Sequence, residues 1–161
     1  MQYHSDQRSP AVRPGTEAGL TLVELIVTVA ILAILASAAV PLTRFQVKRE
    51  KERALRYDLW QMRDAIDHYK DAAEKHAFIT KADAQNYPPD LDTLVKGVDA
   101  QGKKLRFLRR IPVDPMTGKA EWTMRSMQDD PNSDSWGGQN LFDVASKSQR
   151  TALDGTKYSD W

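Results

Sequence analysis

Between Gly19 and Pro41 the chain reads LTLVELIVTVAILAILASAAV, apolar except for Thr21, Glu24, Thr28 and Ser37, and free of charge from Leu25 to Val40. Wound as a helix rising about 1.5 Å per residue, such a segment spans a hydrocarbon core of roughly 30 Å. It therefore reads as a membrane helix, and whatever else the chain builds must hang from one embedded end. Two residues exceed what an anchor requires. Glu24 places a carboxylate inside the apolar run, at a cost of about 2.5 to 3.5 kcal/mol on insertion scales unless it finds a partner. Pro41 has no backbone N–H and its ring collides with the carbonyl of Ser37, so a helix passing through it is expected to kink.

Taken together, Gly19, Leu20, Thr21, Leu22, Val23 and Glu24, followed by the unbroken apolar helix and by Pro41, resemble the class III signal of type IV pilins and type II secretion pseudopilins. In that family a prepilin peptidase cuts after the glycine and methylates the new N-terminus. The resemblance implies cleavage between Gly19 and Leu20 and a methylated amine on Leu20, where Phe or Met is more usual. It also makes Glu24 and Pro41 assembly residues. A carboxylate that pairs with the Leu20 amine of a neighbouring subunit turns a cost in lipid into a registration device.

Residues 1–19, MQYHSDQRSPAVRPGTEAG, hold two prolines and no periodicity and read as a leader. Arg8 and Arg13 precede the apolar run, whereas Arg44, Lys48, Arg49, Lys51, Arg53 and Arg56 follow it. The positive-inside rule alone would leave the C-terminal part in the cytoplasm. The family resemblance implies the opposite orientation and is the more specific guide. The 161 residues leave room for one small domain beyond the helix, and a formal net charge of +1 recommends no nucleic-acid partner. With no cysteine, the chain has neither a disulfide framework nor a thiolate site. Many fibre-forming pilins close a C-terminal loop with a disulfide, which this chain cannot do.

Past Pro41 the helical pattern resumes. Leu55, Leu59, Met62, Ile66, Tyr69, Ala73 and His76 alternate spacings of four and three, an apolar seam along one helix face. Pairs such as Glu52 with Arg56 and Asp71 with Lys75 offer i,i+4 support, and the helix is expected to run to Phe78. Residues 79–104 read as loop with one short helix, Leu91 to Val95, capped by Asp90 after Tyr87-Pro88-Pro89 and closed by Gly97. In Ile111-Pro112-Val113-Asp114-Pro115 two prolines fix φ around an aspartate that can bond nearby N–H groups, giving a rigid approach to a first strand. The tyrosine-proline turn and this Pro-x-Asp-Pro turn both resemble major pseudopilins. Strands are expected at Glu121 to Met127 and Asn140 to Ala145, paired antiparallel. At the tail Asp154-Gly155 marks a turn and Trp161 is placed to pin the end.

The soluble part carries little chemistry. His68 and His76 would sit about 80° apart on a helix, and His68 pairs more naturally with Asp64. Nothing resembles a nucleophile elbow, a phosphate loop or a zinc signature, so an enzyme is not indicated. Asp130, Asn132 and Asp134 open like an EF-hand, but Ser135 stands at its glycine position and Leu141 at its bidentate glutamate. Major pseudopilins hold calcium near the C-terminus, and the resemblance makes Asp154 and Asp160 the closest counterparts.

The expected fold is α+β, a pilin-like lollipop: leader 1–19, membrane half of the helix 20–42, amphipathic half 43–78, and a small α/β region with an antiparallel sheet over 79–161. The resemblance implies a structural subunit of a type II secretion pseudopilus in the bacterial inner membrane, its C-terminal domain periplasmic. Expected partners are further copies and other pseudopilins, the prepilin peptidase, membrane lipid, and an inner-membrane platform with a cytoplasmic ATPase. Two alternatives stay open: a type IV pilus subunit, and a monomeric binding domain tethered by a plain anchor.

Overall fold

The structure is a computed structural model that describes residue 19, residues 21–130, residue 133 and residues 135–161, with the backbone alone over 38–43. The expected leader, residues 1–18, and Leu20 lie outside the described residues. The chain divides into two compact units, Met1–Leu42 and Thr43–Trp161. One helix, α1, runs Leu22–Glu74 and contributes to both. Its assignment continues through Pro41, whose side chain, and with it the expected kink, is outside the described residues.

In the second unit the fold is α+β and its core is organised by the α1 seam. Leu55, Leu59, Met62, Ile66, Tyr69 and Ala73 are all buried, as their spacing requires, the first five in one cluster with Leu91, Leu94, Leu108, Trp122, Leu141 and Val144. Truncating any of the large ones to Ala would cost about 2 to 5 kcal/mol through lost transfer energy and a residual cavity. His76 does not extend the seam. It is exposed and adopts φ 56°, with its N–H on the carbonyl of Ala73 at 3.0 Å and the Ala77 N–H on that of Ala72 at 3.1 Å. That is a Schellman closure with histidine in the left-handed position usually given to glycine. Hence α1 stops at Glu74 rather than at Phe78.

Helix α2, Leu91–Lys96, starts on Asp90, whose Oδ1 accepts from the Thr93 N–H at 2.7 Å and from its hydroxyl at 2.8 Å. Gly97 ends it at φ 79°, where a Cβ would also stand 2.5 Å from the Leu105 carbonyl oxygen. The stretch after Gly97 is not loop. Strands β1 (Val98–Ala100) and β2 (Lys103–Leu105) pair antiparallel around Gln101 and Gly102, both at positive φ, the two-residue type I′ turn matched to strand twist.

A second two-stranded sheet joins β3 (Trp122–Arg125) to β4 (Asp143–Ser146), with Trp122 opposite Ser146 and Arg125 opposite Asp143. The expected single sheet is thus two hairpins, and both later strands are shorter than the pattern suggested. Next to these strands Asn140, fully buried, accepts from the Met127 N–H through Oδ1 at 3.0 Å and from the Ser126 hydroxyl through its carbonyl at 2.9 Å. Ahead of β3, Asp114 is also fully buried. It accepts from the Met116 N–H and the Ser146 hydroxyl, each at 2.7 Å, and so ties the proline turn to β4.

Candidate functional site

At the head of α1 the local structure follows from Thr21. Its Oγ1 accepts from the Glu24 N–H at 3.2 Å and its carbonyl from the Leu25 N–H at 3.0 Å, which makes it the N-cap and puts Glu24 at the third helical position. Glu24 therefore lies in the first turn, where the helix dipole favours a negative charge, and it is exposed. Gly19 is exposed too, and a Cβ built there meets nothing within 4 Å. The fold of this chain does not itself require glycine at that position.

Beyond the cap, Leu22, Val23, Leu25, Ile26, Val27, Val29, Ile31, Leu32, Ile34 and Leu35 are each at least half exposed. Two hydroxyls in this run are satisfied within the helix: Thr28 donates to the Leu25 carbonyl at 2.9 Å and Ser37 to that of Ile34 at 2.7 Å. Neither leaves a donor that an apolar surrounding would penalise. Among the described residues no helix is long and apolar enough to cross a membrane. The described side chains of the apolar run stop at Ser37, about 22 Å from Leu22 at 1.5 Å per residue, while the sequence pattern continues to Val40.

The second cluster is one the sequence pattern did not reveal. Glu52, almost fully buried, receives the Leu153 N–H at 2.8 Å and the Tyr158 hydroxyl at 2.9 Å on one carboxylate oxygen. Burial first, then the bond to Glu52 and its charge, pushes the Tyr158 phenol up to about 12. One turn on, Arg56 reaches Asp154 at 3.4 Å and stacks over the Trp161 ring, 4.2 Å from its centroid. Arg63 grips Asp143 at 2.7 Å, the Val144 carbonyl at 3.1 Å and the Trp161 main-chain oxygen at 2.9 Å. Glu52 and Arg56 serve the C-terminal segment instead of each other, and Asp71 and Lys75 form no ion pair among the described residues. The signal was present: Glu52 sits three residues before Leu55, a carboxylate in register with the apolar seam.

The candidate calcium ligands each accept from protein donors of their own. Asp154 Oδ1 accepts from the Thr156 N–H at 3.0 Å and hydroxyl at 2.6 Å, and Oδ2 faces Arg56. These Thr156 bonds, helped by Arg56, hold its carboxyl below the usual carboxylate range. Asp160 lies in the 3-10 helix Tyr158–Asp160 and accepts from Ser159 at 3.1 Å. A carboxylate already spent on three protein donors does not fit the open oxygen cage calcium needs, and among the described residues no group of His, Cys, Asp and Glu is arranged to hold a metal. Of the EF-hand-like positions, Asn132 and Asp134 lie outside the described residues. His68 faces Asp64, with Nδ1 at 3.3 Å from the carboxylate and 2.8 Å from its main-chain oxygen.

Compared with known proteins, residues 15–40 match the model of the prokaryotic N-terminal methylation motif. Neither a curated protein nor a solved structure matches the chain. The matched residues contain Gly19, the Thr21 cap, Glu24 and most of the apolar run, and an α+β fold consistent with the pilin type follows them. What this combination supports is a type IV pilin-like substrate of a prepilin peptidase with a membrane-anchored N-terminus.

Proposed function

We propose that the mature chain is a structural subunit of a type II secretion pseudopilus, held in the bacterial inner membrane until it polymerises through α1 into a periplasmic filament that helps drive protein export. The observation that carries this reading is the head of α1. A carboxylate in the first turn tops a run, Leu22 to Leu35, whose large apolar side chains are exposed among the described residues, so both the charge and the surface call for neighbours. Methylated Leu20 of the adjacent subunit is the partner for Glu24, and the other helices replace lipid. Gly19, free of any packing demand, is then selected by the peptidase rather than by the fold.

The chain's role is mechanical and not catalytic. Energy comes from a cytoplasmic ATPase acting through a membrane platform, with other pseudopilins as further partners. A type IV pilus subunit would share the N-terminal features. The lack of cysteine, which leaves the sequence without the disulfide that closes a C-terminal loop in many fibre-forming pilins, supports the pseudopilus. Intact-mass analysis of the protein extracted from membranes tests the reading: the mature chain starts at Leu20 and carries one extra methyl. Retention of Met1, or a start beyond Ala39, removes it.

A further inference from the structure

The residues that open the second unit, 43–56, carry six Lys and Arg against two Glu, whereas residues 57–161 carry fifteen against seventeen. The positive charge of the unit is thus gathered at its start, and Arg44, the first of these cations, lies three residues past Pro41. The carboxylates of the stretch do not offset it. Glu52 is buried and accepts from Leu153 and Tyr158, which leaves Glu50 as the exposed acid. Lys48 donates to the Thr151 carbonyl at 2.8 Å and Arg56 reaches Asp154, but Arg44, Arg49, Lys51 and Arg53 are exposed and have no partner among the described residues.

Their arrangement says what kind of partner they fit. Spacings of four and three put Arg44, Lys48 and Lys51 on one side of α1, and Arg49, Arg53 and Arg56 repeat the pattern five residues on, about 140° farther round the axis. A single lateral partner would meet one of these sides; lipid headgroups around an emerging helix meet both. Arg44 and Arg53 are nine positions apart, about 14 Å of helix, close to the depth of one headgroup layer together with a Debye length. Phe45 and Val47, 57% and 54% exposed, set apolar side chains among the cations, the composition of an interfacial segment.

We propose that Arg44, Arg49, Lys51 and Arg53 form a collar that binds anionic phospholipid headgroups at the surface where α1 leaves the bilayer. This rests on the membrane-anchored reading of the N-terminus and adds to it a lipid class and the residues that select it. Because the rest of the unit is slightly acidic, attraction to an anionic surface acts through the collar and fades within a Debye length of it. The collar also meets the charge conflict of the sequence. By the positive-inside rule these cations oppose a periplasmic C-terminal unit, and headgroup phosphates of the periplasmic leaflet give them partners there.

The test uses the full chain reconstituted in phosphatidylcholine bilayers, with electron paramagnetic resonance of trace spin-labelled lipids reading which headgroups gather in the shell around the protein. Spin-labelled phosphatidylglycerol should be preferred over spin-labelled phosphatidylcholine by about threefold or more at low ionic strength, and the preference should shrink in about 1 M salt. Arg44→Gln with Arg49→Gln, Lys51→Gln and Arg53→Gln leaves the bonds of Lys48 and Arg56 in place, and should bring the ratio to about one at unchanged melting temperature. If that chain folds poorly, Arg49→Gln with Lys51→Gln should already lower the ratio. Equal association of both lipids with the natural chain overturns the collar. So does a preference that survives the substitutions while inter-subunit cross-links are lost, which would assign the cations to a neighbouring copy. Absence of motionally restricted lipid of either kind would instead defeat the membrane-anchored reading underneath.

Discussion

The hydroxyl of Tyr158 donates to Oε1 of Glu52 at 2.9 Å across 106 residues of chain, and both side chains are buried. This bond helps close the C-terminal segment on the seam of α1, and the protonation state of the phenol sets a pH dependence. The phenol is raised to about 12 in the folded chain. An acid whose neutral form is favoured by folding contributes its full stability below about pH 10, where the unfolded phenol titrates, and loses it as the pH climbs to about 12. Urea midpoints measured for residues 43–161 should therefore fall more steeply from about pH 9 to pH 11.5 in the natural chain than in Tyr158→Phe. Equal slopes would contradict the assignment.

At neutral pH the same substitution removes a hydrogen bond to a carboxylate and leaves Glu52 with the Leu153 N–H alone. Tyr158→Phe should lower unfolding stability by about 1.5 to 3 kcal/mol, read from denaturant titration. A loss below about 0.5 kcal/mol would mean water replaces the hydroxyl.

Asp114 offers a sharper stability test because it is fully buried and accepts from both Met116 and Ser146. Asp114→Ala leaves an N–H and a hydroxyl unsatisfied in the core, at about 3 kcal/mol or more. Asp114→Asn, which keeps one acceptor, should cost clearly less. Equal losses from the two variants, measured by thermal melting, would show that the turn is held by its prolines alone.

Much of this was legible in the sequence where one physical rule acts alone. The four-three spacing of Leu55 to Ala73 settles which face of α1 is buried, and Asp90 and Gly97 bracket α2 through ordinary capping. The reading fell short where the usual residue was replaced. His76 ends α1 in a position normally held by glycine, and the β1–β2 hairpin turns on Gln101-Gly102, with only Val98, Ala100 and Leu105 for apolar content. The grip of Glu52, Arg56 and Arg63 on the C-terminal segment was hidden for another reason. Its partners lie about eighty to a hundred residues away, and they include the main-chain oxygens of Val144 and Trp161 and the main-chain N–H of Leu153, which no local pattern marks.

Because Asp154 is already engaged by Thr156 and Arg56, millimolar calcium should leave the melting temperature of the protein unchanged, and a chelator should do the same. A rise with calcium that Asp154→Ala with Asp160→Ala abolishes would place a metal site at these two residues.

If Glu24 acts between subunits, Glu24→Ala separates a filament subunit from a plain anchor. Removing the charge makes insertion no more costly, so a plain anchor would behave as before or better. In a filament the same change leaves the Leu20 amine of a neighbour without its partner in a medium of low dielectric, a loss of about 3 to 5 kcal/mol. Inter-subunit cross-linking measured beside total membrane-bound, cleaved protein reads both effects in one experiment. The account predicts normal cleavage and membrane accumulation with the cross-linked ladder lost; a normal ladder from the Glu24→Ala chain would contradict it.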